Sequence, residues 1–396
     1  MRMTDLANKV KSFELNLTAR YLANGDAGFA NETERLQLQR DYADLTLGKN
    51  RLEWISDGDT TTPKYFPSLY VVFAAERSPI ADARIAAARL HQAFLLGSDV
   101  VAKNLYIGKY QGLTRSSNSK TLMLSLRGLD CRTSITHDQA VAACRANGAT
   151  HHCTTQAEYA YLALRCKADG FQPQGNNSYG KDESGNYGDI VHQYTSSNVK
   201  YFGRVAQGSG PLSWNHDGSP LGVWGLNGNV YEWAPGYRLN NGYIQIVEYN
   251  KAALAATDLA AASAEWKGVL VDGTLETPVD ASATELKFGD AAAAGDNVIN
   301  ITGATWDGTN SFGRPFTSIE YTGFPALLKE LAIIPHDAGS YGGDFQYFNL
   351  NGERCPVRGG YWIHGSIGVV CCIGILYNRS SVGNSIGARP AFYETA

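Results

Sequence analysis

The chain has 396 residues, 44% of them hydrophobic, which allows one large or two ordinary domains with a sizeable core. Charged residues make up only 18%, the formal net charge is -4, and no basic run could neutralise a phosphate backbone, which argues against nucleic acid as a partner. Abundant Gly (42), Tyr (22) and Trp (7) favour loop-rich structure pinned by aromatics and exclude a helical bundle.

The N-terminal stretch MRMTDLANKVKSFELNL carries charges where a signal peptide needs an unbroken apolar run, so secretion by the general route is not expected. Leu6, Val10, Phe13, Leu17 and Tyr21 recur every three or four residues, the pattern of one face of an amphipathic helix. Glu32 to Tyr42 is a second helix-favouring stretch, and Ile80 to Leu96 is Ala- and Leu-rich, with Gly97 placed to end it. Residues 1–95 therefore read as an N-terminal module distinct from the Gly- and Trp-rich remainder, 96–396.

From Asn104 the segment LYIGKYQG alternates as a strand should. Thr136 to Gln139 and Thr155 to Glu158 both have the form of a capping box, predicting short helices ended by Asn147-Gly148 and by Gly170. GNNSY at 175–179 and WNHDG at 214–218 read as turns, and Asn227-Gly228 in GVWGLNGNVYEW is a hairpin-type signal beside the heavy anchors Trp224, Tyr231 and Trp233. About 250–320 looks like an insertion of small hairpins and a helix; Phe324-Pro325 opens one more helix.

The last stretch, Arg358 to Phe392, mixes fixed-looking glycines with Tyr, Ile, His, Leu, Ser and Asn, and between Arg358 and Arg389 its only charge is Arg379. Such a composition suits a paratope-like surface, where Tyr gives rigid contact area and Ser, Gly and Asn give adaptable hydrogen bonds. A glycine-rich buried strand pair with its turns accounts for it equally well. The longest apolar run, Ile367 to Leu376, is about half the length a bilayer crossing needs, so no membrane insertion is expected.

Templates for chemistry mostly fail. No phosphate-binding loop, dinucleotide fingerprint, metalloprotease or nucleophile-elbow pattern is present. The seven cysteines are Cys131, Cys144, Cys153, Cys166, Cys355, Cys371 and Cys372; none has a Cys-x-x-Cys zinc spacing, and buried reduced thiols are the simplest reading. His151-His152-Cys153 could ligate a metal, but a packed pair explains it better, and Glu232 is most simply a carboxylate hydrogen-bonded within its turn rather than an acid or calcium ligand. Arg358, Arg379 and Arg389, set among glycines and aromatics, are expected to stack and to hold carbonyls.

At GVWGLNGNVYEW, RGGYW and IGARPAF the chain resembles the C-type-lectin-like fold shared by formylglycine-generating enzymes and their relatives, an α+β fold of short helices and antiparallel strands. It is more specifically similar to the variable proteins of diversity-generating retroelements, through THHCTTQAEYAYLALRCKADGFQPQGNNSYG, LSWNHDGSPLGVWGLNGNVYEW, GYIQI, FPALLKELAIIPHDAG and RGGYWIHGSIGV with NRSSVGNSIGARPAF. The match runs from about Leu105 to the C-terminus, apart from the insertion. In that family, error-prone reverse transcription at adenines rewrites a short C-terminal segment, and the scaffold displays the changed side chains as a binding face.

The resemblance implies that Arg358, Gly359, Gly360, Trp362, Gly365, Ser366, Arg379, Ser380, Ile386, Gly387 and Arg389, with Asn229, Glu232 and Trp233 upstream, are scaffold. It implies that Tyr361, Ile363, His364, Ile367, Gly374, Leu376, Tyr377, Ser381, Gly383 and Ser385 are the varied, ligand-binding positions. Scrambling the first two bases of an AAC codon never yields Lys, Glu, Gln, Met or Trp; between Tyr361 and Ala388 the first four are absent, and Trp362 stands at a scaffold position. The chain departs from the family at Gly368-Val369, where relatives commonly carry Ala then Gly, and from the enzyme relatives in having Cys371 and Cys372 adjacent. The implied function is display of a diversified face toward a protein or cell-surface ligand, with an oxidoreductase acting on cysteine through Cys371 or Cys372 as the alternative. No cofactor is implied; calcium loops occur in the fold, but no residue pattern here demands one. A small face also suggests a homo-oligomer, and the implied location is a virion, as a phage tail or fibre, or the bacterial cytoplasm.

Overall fold

The computed structural model describes residues 2–80, 89–196 and 198–395. Five α-helices lie among these residues: α1 (Met3–Asn24), α2 (Glu32–Thr46), α3 (His137–Arg145), α4 (Gln156–Ala168) and α5 (Ala326–Glu330). The strands form two larger sheets and two isolated hairpins, and nearly all neighbours run antiparallel, so the molecule is α+β.

One sheet has five strands in the order Asn50–Ser56, Tyr65–Ala74, Ala102–Gly108, Pro390–Thr395, His151–Cys153. Tyr65–Ala74 pairs antiparallel with Ala102–Gly108, placing Tyr70 opposite Gly108 and Phe73 opposite Leu105. The boundary expected at residue 95 therefore cuts through a continuous sheet. Two strands from the N-terminal segment, two from later in the chain, Ala102–Gly108 and His151–Cys153, and the last strand share a single sheet, an outcome that only long-range pairing could reveal.

The second sheet has as its spine Tyr243–Val247, Tyr237–Asn240, Glu353–Arg358, Ile373–Tyr377, Phe345–Phe348 and Phe312–Pro315. The insertion supplies short strands that extend its other end, beginning with Trp266–Val269 against Tyr243–Val247. The helix expected in the insertion is absent from the described residues, which there contain only the single 3-10 turns Lys251–Ala253 and Phe316–Ser318. Alanine favours a helix locally, but residues 252–264 and 291–294 form turns and loops that link the short strands of this region.

Both capping boxes form. Thr136 Oγ1 accepts from the Gln139 amide at 3.2 Å, and Thr155 Oγ1 from the Glu158 amide at 3.2 Å, while each Gln or Glu side chain returns a bond to the cap's own amide. Helix α4 is buried from Gln156 to Leu164, which makes it the central packing element between the sheets. The apolar stripe of α1 is rotated from expectation: Val10, Leu17 and Tyr21 are buried, Phe13 only partly, and Glu14 is fully buried beside them. Of the helix expected over Ile80 to Leu96, residues 81–88 lie outside the described ones, and Gln92–Phe94 is a 3-10 turn. Asn227-Gly228 is not a hairpin turn; Gly228 and Asn229 have φ of 73° and 62° and dock against Asn176 and Gly359.

Candidate ligand-binding face

The strand Glu353–Arg358 delivers the chain into Gly359 and Gly360, whose φ values of 86° and 72° belong to the left-handed region that glycine adopts without strain. A side chain on Gly359 would also meet the Tyr159 hydroxyl and the Leu226 carbonyl. Beyond this turn the segment from Tyr361 to Val370 forms a loop, pinned at three places. The Trp362 carbonyl accepts from the Tyr179 amide at 2.7 Å, and the Gly365 amide donates to the Asn177 carbonyl at 2.7 Å. Asp344 closes the far end, its carboxylate accepting from the amides of Val369 at 2.7 Å and Cys371 at 2.8 Å.

The strand Ile373–Tyr377 then runs between Glu353–Arg358 and Phe345–Phe348. Arg379 follows, held by Glu353 at 2.8 Å and Asp138 at 2.7 Å, with Arg238 completing the group on Glu353 at 2.8 Å. The only formal charge in the segment is thus spent on the protein itself.

Beneath the face lies a buried polar network. Arg389 reaches both oxygens of Glu232, Nη2 to Oε1 at 2.7 Å and Nε to Oε2 at 2.8 Å, and donates to the carbonyls of Gly108 and Trp224 at 2.8 and 3.0 Å. Gln111 donates to Glu232 at 3.0 Å and accepts from Asn229 at 2.8 Å, while Asn229 accepts from the Val205 amide at 2.9 Å. Trp233 Nε1 donates to the Ile135 carbonyl at 2.9 Å. Arg358 is fully buried with its guanidinium 5.1 Å from the Tyr159 ring centroid, and Trp362 is only 3% exposed. Most of the expected scaffold positions are therefore interior or fastened; Ser366 and Ser380, placed with them by resemblance, are exposed.

The interleaved positions stand differently. Ile363 is 39% exposed, and Tyr361, His364, Ile367, Leu376, Tyr377, Ser381, Gly383 and Ser385 are partly exposed. Gly374 is a correction: it is buried, and a Cβ there would sit 2.9 Å from Val357 Cγ2 and 3.4 Å from the Tyr231 ring. It follows the departure at Gly368-Val369, beyond which the strand's pleat, and not the family spacing, decides which residues turn outward. Val382, 58% exposed, and the exposed Asn378 and Asn384 lie on the same segment and were not singled out from sequence.

Aromatic rings floor the face. The His364 ring lies 4.3 Å from that of Tyr361, 5.1 Å from Tyr231 and 5.3 Å from Tyr347, and Tyr377 lies 6.2 Å from Tyr231 and 6.3 Å from Trp233. Burial pushes His364 down to about 4 and Tyr377 up to about 12, so the imidazole and the phenol are both neutral near pH 7. Tyr347 lies on Phe345–Phe348, outside the C-terminal stretch; the aromatic run of Phe345, Tyr347 and Phe348 was the only signal.

Cys371 and Cys372 are fully buried and their thiols are pushed well up, chiefly by desolvation, so neither is a reactive thiolate in this structure. His151, His152 and Cys153 are buried in a strand, His152 Nε2 lying 2.7 Å from Glu158 Oε1, and no group of three or more potential metal ligands occurs among the described residues.

No protein-family model matches the chain, and no curated protein matches it either. Among solved structures the chain shows loose similarity to several chains. One is Treponema denticola variable protein 1, at 8% identity and a TM-score of 0.32, covering 87% of this chain and 99% of that one. Another is the Major Tropism Determinant I1 variant, at 11% identity and a TM-score of 0.29, covering 87% of this chain and 72% of that one. Superpositions this loose carry no argument by themselves, and the weight rests on the residues above.

Proposed function

We propose that the chain is a diversified ligand-binding protein, a fixed scaffold whose C-terminal face carries exchangeable side chains toward a protein or cell-surface molecule. The observation that carries this reading is the division within Arg358 to Arg389. Outside the buried run 368–375, residues buried or fastened by hydrogen bonds are interleaved with residues that reach solvent over the fixed aromatics Tyr231, Trp233 and Tyr347. Rewriting the second set leaves the first in place. The face is small, so oligomerisation would raise avidity. Among the described residues no helix is long and apolar enough to cross a membrane.

The test is to randomise Tyr361, Ile363, His364, Ile367, Leu376, Tyr377, Ser381, Gly383 and Ser385 with codons of the AAC-derived set and select the displayed library against ubiquitin. Folded members that bind are expected, and within them truncating one central aromatic should cost about 2 kcal/mol or more, the scale of a hot spot. A library that yields no binder sinks the proposal.

A further inference from the structure

Beside the rewritable segment stands a ridge of tyrosines that lies outside it. Tyr194 is on the hairpin Gln193–Ser196 and Val199–Phe202, directly opposite Tyr201, with the two rings stacked at 5.4 Å. Tyr201 lies 5.4 Å from Tyr179, and Tyr194 lies 6.4 Å from Trp362, whose ring in turn lies 5.5 Å from Tyr361. The rings thus run without a break from the fixed hairpin into the exchangeable positions. The phenols of Tyr179 and Tyr194 also lie near that of Tyr361, where, after burial itself, they help push its ionisation up.

Tyr179 carries a second, independent sign. Its φ is 57°, in the left-handed region where a bulky residue is strained and Gly or Asn would sit at less cost. The hydrogen bond its amide donates to the Trp362 carbonyl needs no side chain at all, so the backbone arrangement does not explain a tyrosine. What the tyrosine adds is an aromatic side chain on a residue that remains 39% exposed beside the varied positions.

We infer that Tyr179, Tyr194 and Tyr201 form a constant half of the binding face, shared by every rewritten version, and that they seat an uncharged, apolar patch of the protein ligand held by the variable half. This rests on the proposed function. The rings themselves favour that occupant: the three tyrosines carry no charge, nearby Arg204 is paired with Asp130 at 2.7 Å, and Lys181 is drawn toward the Tyr187 ring at 5.7 Å. Tyrosines bring large contact area at small entropic cost, so a constant ridge would supply affinity that each new variable set need not find again.

Independent ubiquitin binders selected from the library would receive Tyr179→Asn and Tyr194→Thr, residues suited to a left-handed turn and to a strand. A loss of affinity of tenfold or more, with unchanged melting temperature, is expected in most of them. Should Tyr179→Asn lower the melting temperature, Tyr194→Thr alone carries the test, with a loss of threefold or more. Affinity unchanged within these limits overturns the inference while leaving the proposed function standing, whereas a library without binders removes both. Unchanged affinity with a shifted elution volume would assign the ridge to contact with a second copy of the chain and likewise overturn it.

Discussion

Asp344 shows how single residues hold the face. Its carboxyl accepts from two backbone amides of the loop, at 2.7 and 2.8 Å, yet it is fully enclosed, and burial pushes it up to about 8 against the pull of those amides and of Arg358. A carboxyl raised in this way binds its proton more tightly folded than unfolded, where it titrates near 3.8. The folded state therefore holds more protons between about pH 4 and pH 8, and stability contributed by this group is present at the acid end and lost as pH rises through the upper value. Chemical denaturation at pH 5 and pH 8 should find the native chain weaker at pH 8, and Asp344→Asn should reduce that difference. An equal pH dependence in the two proteins would show that the carboxyl is already ionised throughout. Arg389 and Glu232 contrast with it, because there the buried charge meets an opposite charge in bidentate geometry, and Gln111 and two carbonyls satisfy what remains.

Among the elements, helix α1 is more than an appendage. Glu14 projects from its buried stripe to Lys109 Nζ at 2.7 Å, to Arg127 Nη1 at 3.1 Å and to the hydroxyls of Tyr42 and Tyr110, each at 2.6 Å. Burial alone would raise its carboxyl; Lys109 and Arg127 outweigh that and hold it down. Glu14→Ala leaves two cations enclosed without their counterion and should destabilise the whole chain by about 3–5 kcal/mol, read from the urea midpoint. A change confined to α1, with the rest unfolding at its native midpoint, would restore the idea of a separate N-terminal module. Capped helices such as α3 and α4 were legible because cap and responder lie three residues apart. The role of Glu14 was not, because its partners stand 95 and 113 residues away and an acidic residue inside an apolar stripe reads simply as solvated. The same distance hid the docking of Gly228 and Asn229 on Asn176, where a local reading found only a turn signal.

At the scale of the molecule, the strand Pro390–Thr395 that follows the C-terminal stretch lies between Ala102–Gly108 and His151–Cys153, so the stretch is anchored in a sheet on its far side as Glu353–Arg358 anchors it on the near side. Motif spacing singled out Gly359, Trp362 and Arg389, and all three lie in the interior, where a left-handed turn, a packed ring and a paired guanidinium tie each to its residue type. It misplaced Gly374, because which strand residues face outward depends on register with Val357 and Tyr347 across the sheet. Two glycines therefore make a discriminating pair. Gly383 is partly exposed, and a Cβ there meets only ordinary contacts, the nearest at 3.5 Å to Ile386; Gly374 is enclosed, with Val357 at 2.9 Å. Gly383→Ser and Gly383→Tyr should leave stability within about 0.5 kcal/mol, as surface exchanges do. Gly374→Ala should cost about 1–3 kcal/mol through overpacking, and Gly374→Tyr more, since the added ring has no cavity to enter. Thermal and urea unfolding of the four variants measures this directly. Equal tolerance at the two sites would mean that the strand can turn Gly374 outward, returning it to the displayed set; equal intolerance would mean that the loop around Gly383 is part of the scaffold.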